Sequence, residues 1–185
     1  MKLKKFNFKT VNSTNDLAIR TIKYTKNQSG IIVAEKQKKG RGQYGKKWIS
    51  YKGNLFVSIF FPINETKLST HKLTKVNCLL VKKLISIFYK GKISIKNPND
   101  LLINKKKISG ILQEILSESG KKFIIIGIGV NLVKSPNIKN YKTTNLFDLT
   151  NVKISTNNSV LKLKKIYEKF IPMFPKFNVK NIDRI

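Results

Sequence analysis

Apolar residues are spaced along this chain in three ways, and each spacing predicts a different element. At the start Phe6 and Phe8 lie two apart with Val11 following, which predicts a short strand with alternating faces. Ser13 stands three positions before Asp16, the arrangement in which a hydroxyl and a carboxylate cap the first turn of a helix. Ile31 to Glu35 is a second strand, and Leu55 to Phe61, LFVSIFF, is apolar enough to be a strand buried on both faces. Leu73, Val76, Leu80, Leu84 and Ile87 recur at helical spacing, with Gly91 placed to end that helix in a left-handed conformation. Three strand-like runs follow, Ile93 to Lys96, Leu101 to Ile103 and Lys107 to Ile115, the last two joined by a turn at Asn104-Lys105-Lys106. Phe123 to Leu132 is a further buried strand with glycines near its end. Val160, Leu163, Ile166, Tyr167 and Phe170 make Ser159 to Ile171 an amphipathic helix closed by Pro172, beyond which the tail to Ile185 reads as short and peripheral.

One stretch does not behave like a core element. Ala34 to Ser50, AEKQKKGRGQYGKKWIS, gathers Gly40, Gly42, Gly45, a cluster of lysines with Arg41, and the only Trp. Glycines of this kind tolerate positive φ and let a ligand approach the backbone, and loop amides beside cations form anion-binding nests. The segment therefore reads as a clamp for phosphate or carboxylate. Gly40-x-Gly42-x-x-Gly45 has the spacing of a dinucleotide fingerprint, but that motif opens a helix, whereas here Trp48 and a turn at Lys52-Gly53 lead into another strand. A phosphate loop is excluded too, because Lys46 is followed by Lys47 and not by Ser or Thr. The plain alternative is a flexible basic hairpin loop.

Composition narrows the field. At 185 residues and 41% hydrophobic, the chain is long enough for one domain with a real core. A single cysteine excludes a disulfide framework and any cysteine-based zinc site. Cys78 and the only histidine, His71, fall in or beside an apolar helical pattern and read as structural. The longest apolar run, near Phe123 to Val133, is well short of the ~20 residues a membrane span needs, and no signal-peptide pattern precedes it, so the expected location is the cytoplasm with no membrane partner. The net charge of +29 points toward nucleic acid. The lysines are nevertheless scattered among Asn and Ile over the whole chain, and compositional bias is preferred to specific nucleic-acid binding.

Several separated stretches carry a resemblance. Ser13-Thr14-Asn15; Gln37 with Gly40-Arg41-Gly42 and Lys46-Lys47-Trp48; Lys96-Asn97-Pro98-Asn99-Asp100; Lys107 to Glu114, KISGILQE; and Gly127-Ile128-Gly129-Val130-Asn131-Leu132 resemble, in order, motifs of the catalytic domain of the biotin protein ligase family. They cover roughly residues 6 to 133. The resemblance implies an α+β fold, a mixed and mostly antiparallel sheet with helices packed on one face, similar to class II aminoacyl-tRNA synthetases. It also implies an enzyme that joins biotin to AMP at the expense of ATP with Mg²⁺, then passes biotin to a lysine of the biotin carboxyl carrier protein of acetyl-CoA carboxylase. Arg41, Lys107 and Asp100 would be catalytic. Biotin would meet Ser13, Thr14, Asn15, Gln37, Gly40, Arg41, Gly42, Lys107 and Gly110. The nucleotide would meet Gln43, Trp48, Asn99 and Asn131, and Mg²⁺ would arrive with ATP near Asp100, without a protein-only metal site. Residue 43 is Gln where the family commonly has a second Arg, and Asn97 stands where it usually has Trp.

By the same resemblance residues 1–185 form a single catalytic domain. Residues 134–185 would be a helical C-terminal extension in place of a small β domain, and no N-terminal DNA-binding domain is expected. The assembly would be a monomer or a homodimer. A lipoate or octanoate ligase or transferase of the same fold is the alternative, with Cys78 poorly placed for an octanoyl-transferring nucleophile. A basic nucleic-acid-binding module or an inactive relic is the third reading.

Overall fold

The computed structural model describes residues 1–63 and 69–176. Its seven strands are β1 (Lys4–Val11), β2 (Gly30–Gln37), β3 (Leu55–Ile63), β4 (Ser94–Lys96), β5 (Asp100–Ile103), β6 (Lys106–Glu118) and β7 (Lys121–Val130). They form one sheet in the order β1-β2-β3-β7-β6-β5-β4, with β1 and β2 parallel and every other neighbouring pair antiparallel. A parallel pair needs a crossover, and helix α1 (Thr14–Tyr24) supplies it. The expected mixed, mostly antiparallel sheet is what the chain forms.

Position in the sheet explains the residue pattern. β7 is paired on both sides, by β3 and β6, and from Phe123 to Val130 every residue is buried. β1 lies at the edge and is almost wholly exposed. Two-residue turns with positive φ, Asn104-Lys105 and Ser119-Gly120, link β5 to β6 and β6 to β7, as tight hairpins require. Lys106 therefore belongs to β6 and not to the turn.

Helices cover both faces of the sheet rather than one. On one face α1 buries Ala18 and Ile22 against Ile32, Phe60, Phe123 and Ile125. On the other, α2 (Thr70–Phe88) and α4 (Thr156–Phe170) pack over Ile31, Val57, Ile59, Phe61, Ile124 and Ile126 in the larger core. The alternation of β7 decides what α1 covers: Phe123, Ile125, Gly127 and Gly129 share its face, large side chains first and glycines after. α1 caps the large pair. The glycine end is left open to become the floor of a cleft.

Three helix boundaries differ from the sequence pattern. α2 stops at Tyr89 in extended conformation, and Gly91 is not left-handed; Ile87 is 40% exposed while Val81 and Ile85 complete the buried stripe. α4 is capped by Ser155, whose Oγ accepts from the Asn158 N–H, so it starts earlier than Ser159. After Phe170 the chain continues as a 3₁₀ turn at Ile171–Lys176. Phe174 in that turn is buried edge-on against Phe61 and Phe170, with centroids 5.7 and 5.8 Å apart, so this part of the tail is core and not periphery. The rest of the expected tail lies outside the described residues.

Candidate active site

Local sequence builds a cleft of about 300 Å³ at the open end of the α1 face. Its floor is the cross-strand pair Gly110 and Gly129, with Gly127 beside it. A Cβ on Gly129 would run into the Trp48 indole, and one on Gly110 would come within 2.8 Å of Trp48 Cζ3. The indole therefore lies against the sheet backbone, and its Nε1–H is buried with no hydrogen-bond partner among the described residues. A Cβ on Gly127 would strike Asn15 in the same way. Here glycine is required for close approach and not for φ.

The first turn of α1 forms one wall. Ser13 caps the helix, its Oγ accepting from the Asp16 N–H. Gln37, at the end of β2, accepts through Oε1 from the Thr14 N–H at 2.8 Å and the Thr14 hydroxyl at 3.1 Å, and its Nε2 donates to Ser50. Asn15 is fully engaged. It donates to the Leu112 carbonyl at 3.1 Å and to Glu114 at 2.6 Å, and accepts from the Ser58 hydroxyl. Asp16 does not complete a capping box. Its carboxylate is 2.8 Å from Arg41 Nη2, because the guanidinium is a stronger partner than a backbone amide.

Arg41 is thus held by two carboxylates, the other being Glu114, which receives Nη2 at 3.0 and 2.8 Å. The glycine loop around it is folded on itself: the Gly42 N–H donates to the Lys46 carbonyl at 2.6 Å, and the Trp48 N–H to the Gly40 carbonyl at 2.9 Å. The Gly42 amide expected to grip an anion is therefore already engaged. Positive φ is found at Gly45 and at Tyr44, whereas Gly42 is extended. Gly40 serves packing, since a Cβ there would strike the Trp48 carbonyl oxygen.

Lys107 is the cation inside the cleft. Its Nζ is 2.8 Å from Asp100 Oδ1, 5.4 Å from the centre of the Trp48 ring and 5.3 Å from that of Tyr141. Asn99 lines the same wall and is pinned to β6, donating through Nδ2 to the Ile111 carbonyl at 2.8 Å. Gln43 lines the cleft from the loop, beside Lys46 and Lys47. Lys105 also reaches the cleft mouth, so the β5–β6 turn is not merely a solvated tip.

Of the residues expected at the site, Ser13, Thr14, Asn15, Gln37, Arg41, Gly42, Gln43, Trp48, Asn99, Asp100, Lys107 and Gly110 line this one cleft, while Gly40 and Asn131 do not. Asn131 is buried behind it, donating to the Thr144 carbonyl at 3.0 Å, and its Oδ1 has no hydrogen-bond partner among the described residues. Sequence reasoning missed Glu114, Ser58 and Tyr141. Glu114 had a signal, since it shares the strand face of Gly110 and Leu112 at a spacing of two; Tyr141, in an irregular segment, had none. Cys78 is buried, and burial, with help from the Asp100 charge, pushes its thiol up to about 12. It is unsuited to nucleophilic work.

Comparison with known proteins agrees with this geometry. The sequence is 32% identical over 124 residues to the bifunctional ligase/repressor BirA of Escherichia coli, and 37% identical over 109 residues to that of Bacillus subtilis. These alignments span 66% and 58% of this chain but only 38% and 34% of the relatives' own length. The fold superposes on biotin protein ligase from Aquifex aeolicus in complex with biotin and ATP with a TM-score of 0.77 and 28% identity, covering 94% of this chain and 72% of that one. The Leishmania major enzyme, at 21% identity and a TM-score of 0.81, shares the fold. The sequence profile described as the Biotin/lipoate A/B protein ligase family matches residues 7–131, from the first strand through the closing Asn131. With that match and the cleft its residues build, the chain belongs to the biotin/lipoate A/B protein ligase family.

Proposed function

We propose that the chain activates biotin with ATP to biotinyl-5′-AMP and transfers biotin to a lysine of a biotin carboxyl carrier protein. The observation that carries this reading is the Lys107 ammonium, held by Asp100 beside the Trp48 indole in a cleft of about 300 Å³. In the first step the acid's carboxylate oxygen attacks the α-phosphorus of ATP and pyrophosphate leaves. In the second, the carrier's amine attacks the acyl carbonyl and AMP leaves. Neither step needs a covalent enzyme nucleophile; both need charge stabilisation and alignment. Lys107 supplies the fixed positive charge where carboxylate and phosphate meet. Arg41, waiting on Asp16 and Glu114, adds forked donors when an anion competes for it. Thr14 and Gln37 offer polar edges to the head of the acid, Asn15 braces that wall through Leu112, Glu114 and Ser58, and Trp48 offers its flat face to the nucleotide.

Asp100 is committed to Lys107, and no three metal-binding side chains converge among the described residues. In this reading magnesium would enter with the nucleotide, where it would neutralise phosphate charge. Among the described residues no helix is long and apolar enough to cross a membrane, and a cytoplasmic site of action is part of this reading. ATP–pyrophosphate exchange with biotin, lipoate and octanoate offered separately tests the substrate. Exchange with biotin is expected; exchange with lipoate alone would transfer the chain to the other branch of its family.

A further inference from the structure

We propose that Tyr141 is a positioning residue for Lys107: its ring covers a side of the ammonium that Trp48 and Asp100 leave open, and so aims the remaining N–H donors into the cleft. The inference rests on the ligase reading of the cleft, and it concerns a residue beyond the family match at 7–131. A lysine ammonium on a four-carbon stem is a mobile charge with three rotatable donors. One carboxylate at 2.8 Å restrains its distance but not its direction. Two π faces, centred 5.4 and 5.3 Å away, restrict the direction as well, because a cation is drawn to the negative face of each ring.

The backbone that carries Tyr141 is fixed to Lys107 itself. The Lys107 N–H donates to the Lys142 carbonyl and the Thr144 N–H to the Lys107 carbonyl, both at 2.9 Å. The Thr143 hydroxyl donates to the Pro136 carbonyl and closes the segment into a loop. At its root Asn54 Oδ1 accepts from the N–H groups of Leu132, Val133 and Lys134 at 3.0, 3.0 and 3.2 Å. A ring on so anchored a strap does not sit over the lysine by the accident of a loose loop. Burial, and then the Asp100 charge, hold the Tyr141 hydroxyl above its ordinary value of 10.0, so the side chain works as a neutral face. Among the described residues that hydroxyl has no hydrogen-bond partner, and a phenyl ring should therefore serve as well.

The test compares the native chain with Tyr141→Phe and Tyr141→Ala. Protons of the Lys107 ε-methylene should resonate upfield in the native and Phe proteins, through the currents of two rings, and move back downfield in the Ala protein. In biotin-dependent exchange, Tyr141→Ala should lower kcat about tenfold, equivalent to ~1.4 kcal/mol, with little change in KM, and Tyr141→Phe should restore it. An unshifted native resonance, a Phe protein no better than Ala, or a loss carried by KM alone would overturn the proposal. An Ala protein that fails to fold leaves the native shift and the Phe comparison to decide. Absence of biotin-dependent exchange in the native chain would count against the ligase reading instead, and the resonance would still show whether the ring holds the lysine.

Discussion

Lys105, Lys106 and Lys107 are chemically identical neighbours with different surroundings, and only Lys107 is sealed into the cleft, its side chain 16% exposed. A charge preorganised at a reacting centre contributes far more than one in water. Lys107→Met should therefore lower adenylate formation by roughly 100- to 1,000-fold, with Lys106→Met near native in the same exchange assay; equal losses would make Lys107 an ordinary surface residue. Gln43 carries a second prediction. Where the family commonly has Arg, a neutral amide offers the adenylate phosphate a hydrogen bond without the charge, a deficit of ~1–2 kcal/mol. The intermediate should form but leave on the order of tenfold faster for each ~1.4 kcal/mol lost. Purified enzyme with biotin and ATP should then label bystander lysines, and Gln43→Arg should suppress that label. Unchanged labelling would mean that Lys46 or Lys47, both at the cleft, replaces the missing charge. Lys107, Gly110 and the glycine loop were marked in the sequence by motifs that resemble the family's, with local charge and glycine spacing making those roles plausible. The grip of Asp16 and Glu114 on Arg41 was not, since Glu114 lies 73 positions from Arg41 and meets it only when β6 and the loop share one face of the sheet.

At the scale of elements, the floor of the cleft depends on β6 and β7 meeting at two glycines. A methyl at Gly129 has no room except where the indole lies, so Gly129→Ala should expel Trp48 from the sheet at about 1–3 kcal/mol of overpacking cost. Because Trp48 is the only tryptophan, its emission should move to longer wavelength; an unmoved spectrum would place the indole elsewhere. β3, β7 and the two long helices were legible because a central strand is apolar on both faces and a surface helix on one stripe. Less was available for the parallel pairing of β1 with β2 or for α1 packing on the opposite face from α2 and α4, both of which depend on chain direction rather than on composition. The short helix α3 (Leu146–Thr150) and the strap before it had no periodicity to announce them. What fixes the strap is a set of long-range backbone bonds, and these leave no mark on local sequence.

At the scale of the whole molecule, the start of the chain is tied to α4. The Leu3 N–H donates to Glu168 Oε1 at 2.7 Å, and Lys164 pairs with the same carboxylate at 2.8 Å. Burial alone would raise the acid strength threshold of Glu168, but these hydrogen bonds and nearby positive charge outweigh it and hold the carboxyl below its ordinary 4.5. A carboxylate with a lowered folded value stabilises the fold above its unfolded value and loses that contribution as pH falls through the folded one. Glu168→Gln should therefore lower the melting temperature at neutral pH, and the gap should close in acid; a gap that persisted in strong acid would point to lost packing. A different tie governs how the cleft can open. Asn54, at the head of β3, satisfies three successive amides of the strap and donates to the Lys134 carbonyl at 2.6 Å. These amides lie outside any ladder, yet their protons can reach solvent only if Asn54 lets go of all of them. In hydrogen-exchange terms Leu132, Val133 and Lys134 should behave as part of the sheet, slow and cooperative, so that the wall carrying Tyr141 moves with the protein's most stable unit and not as a surface loop.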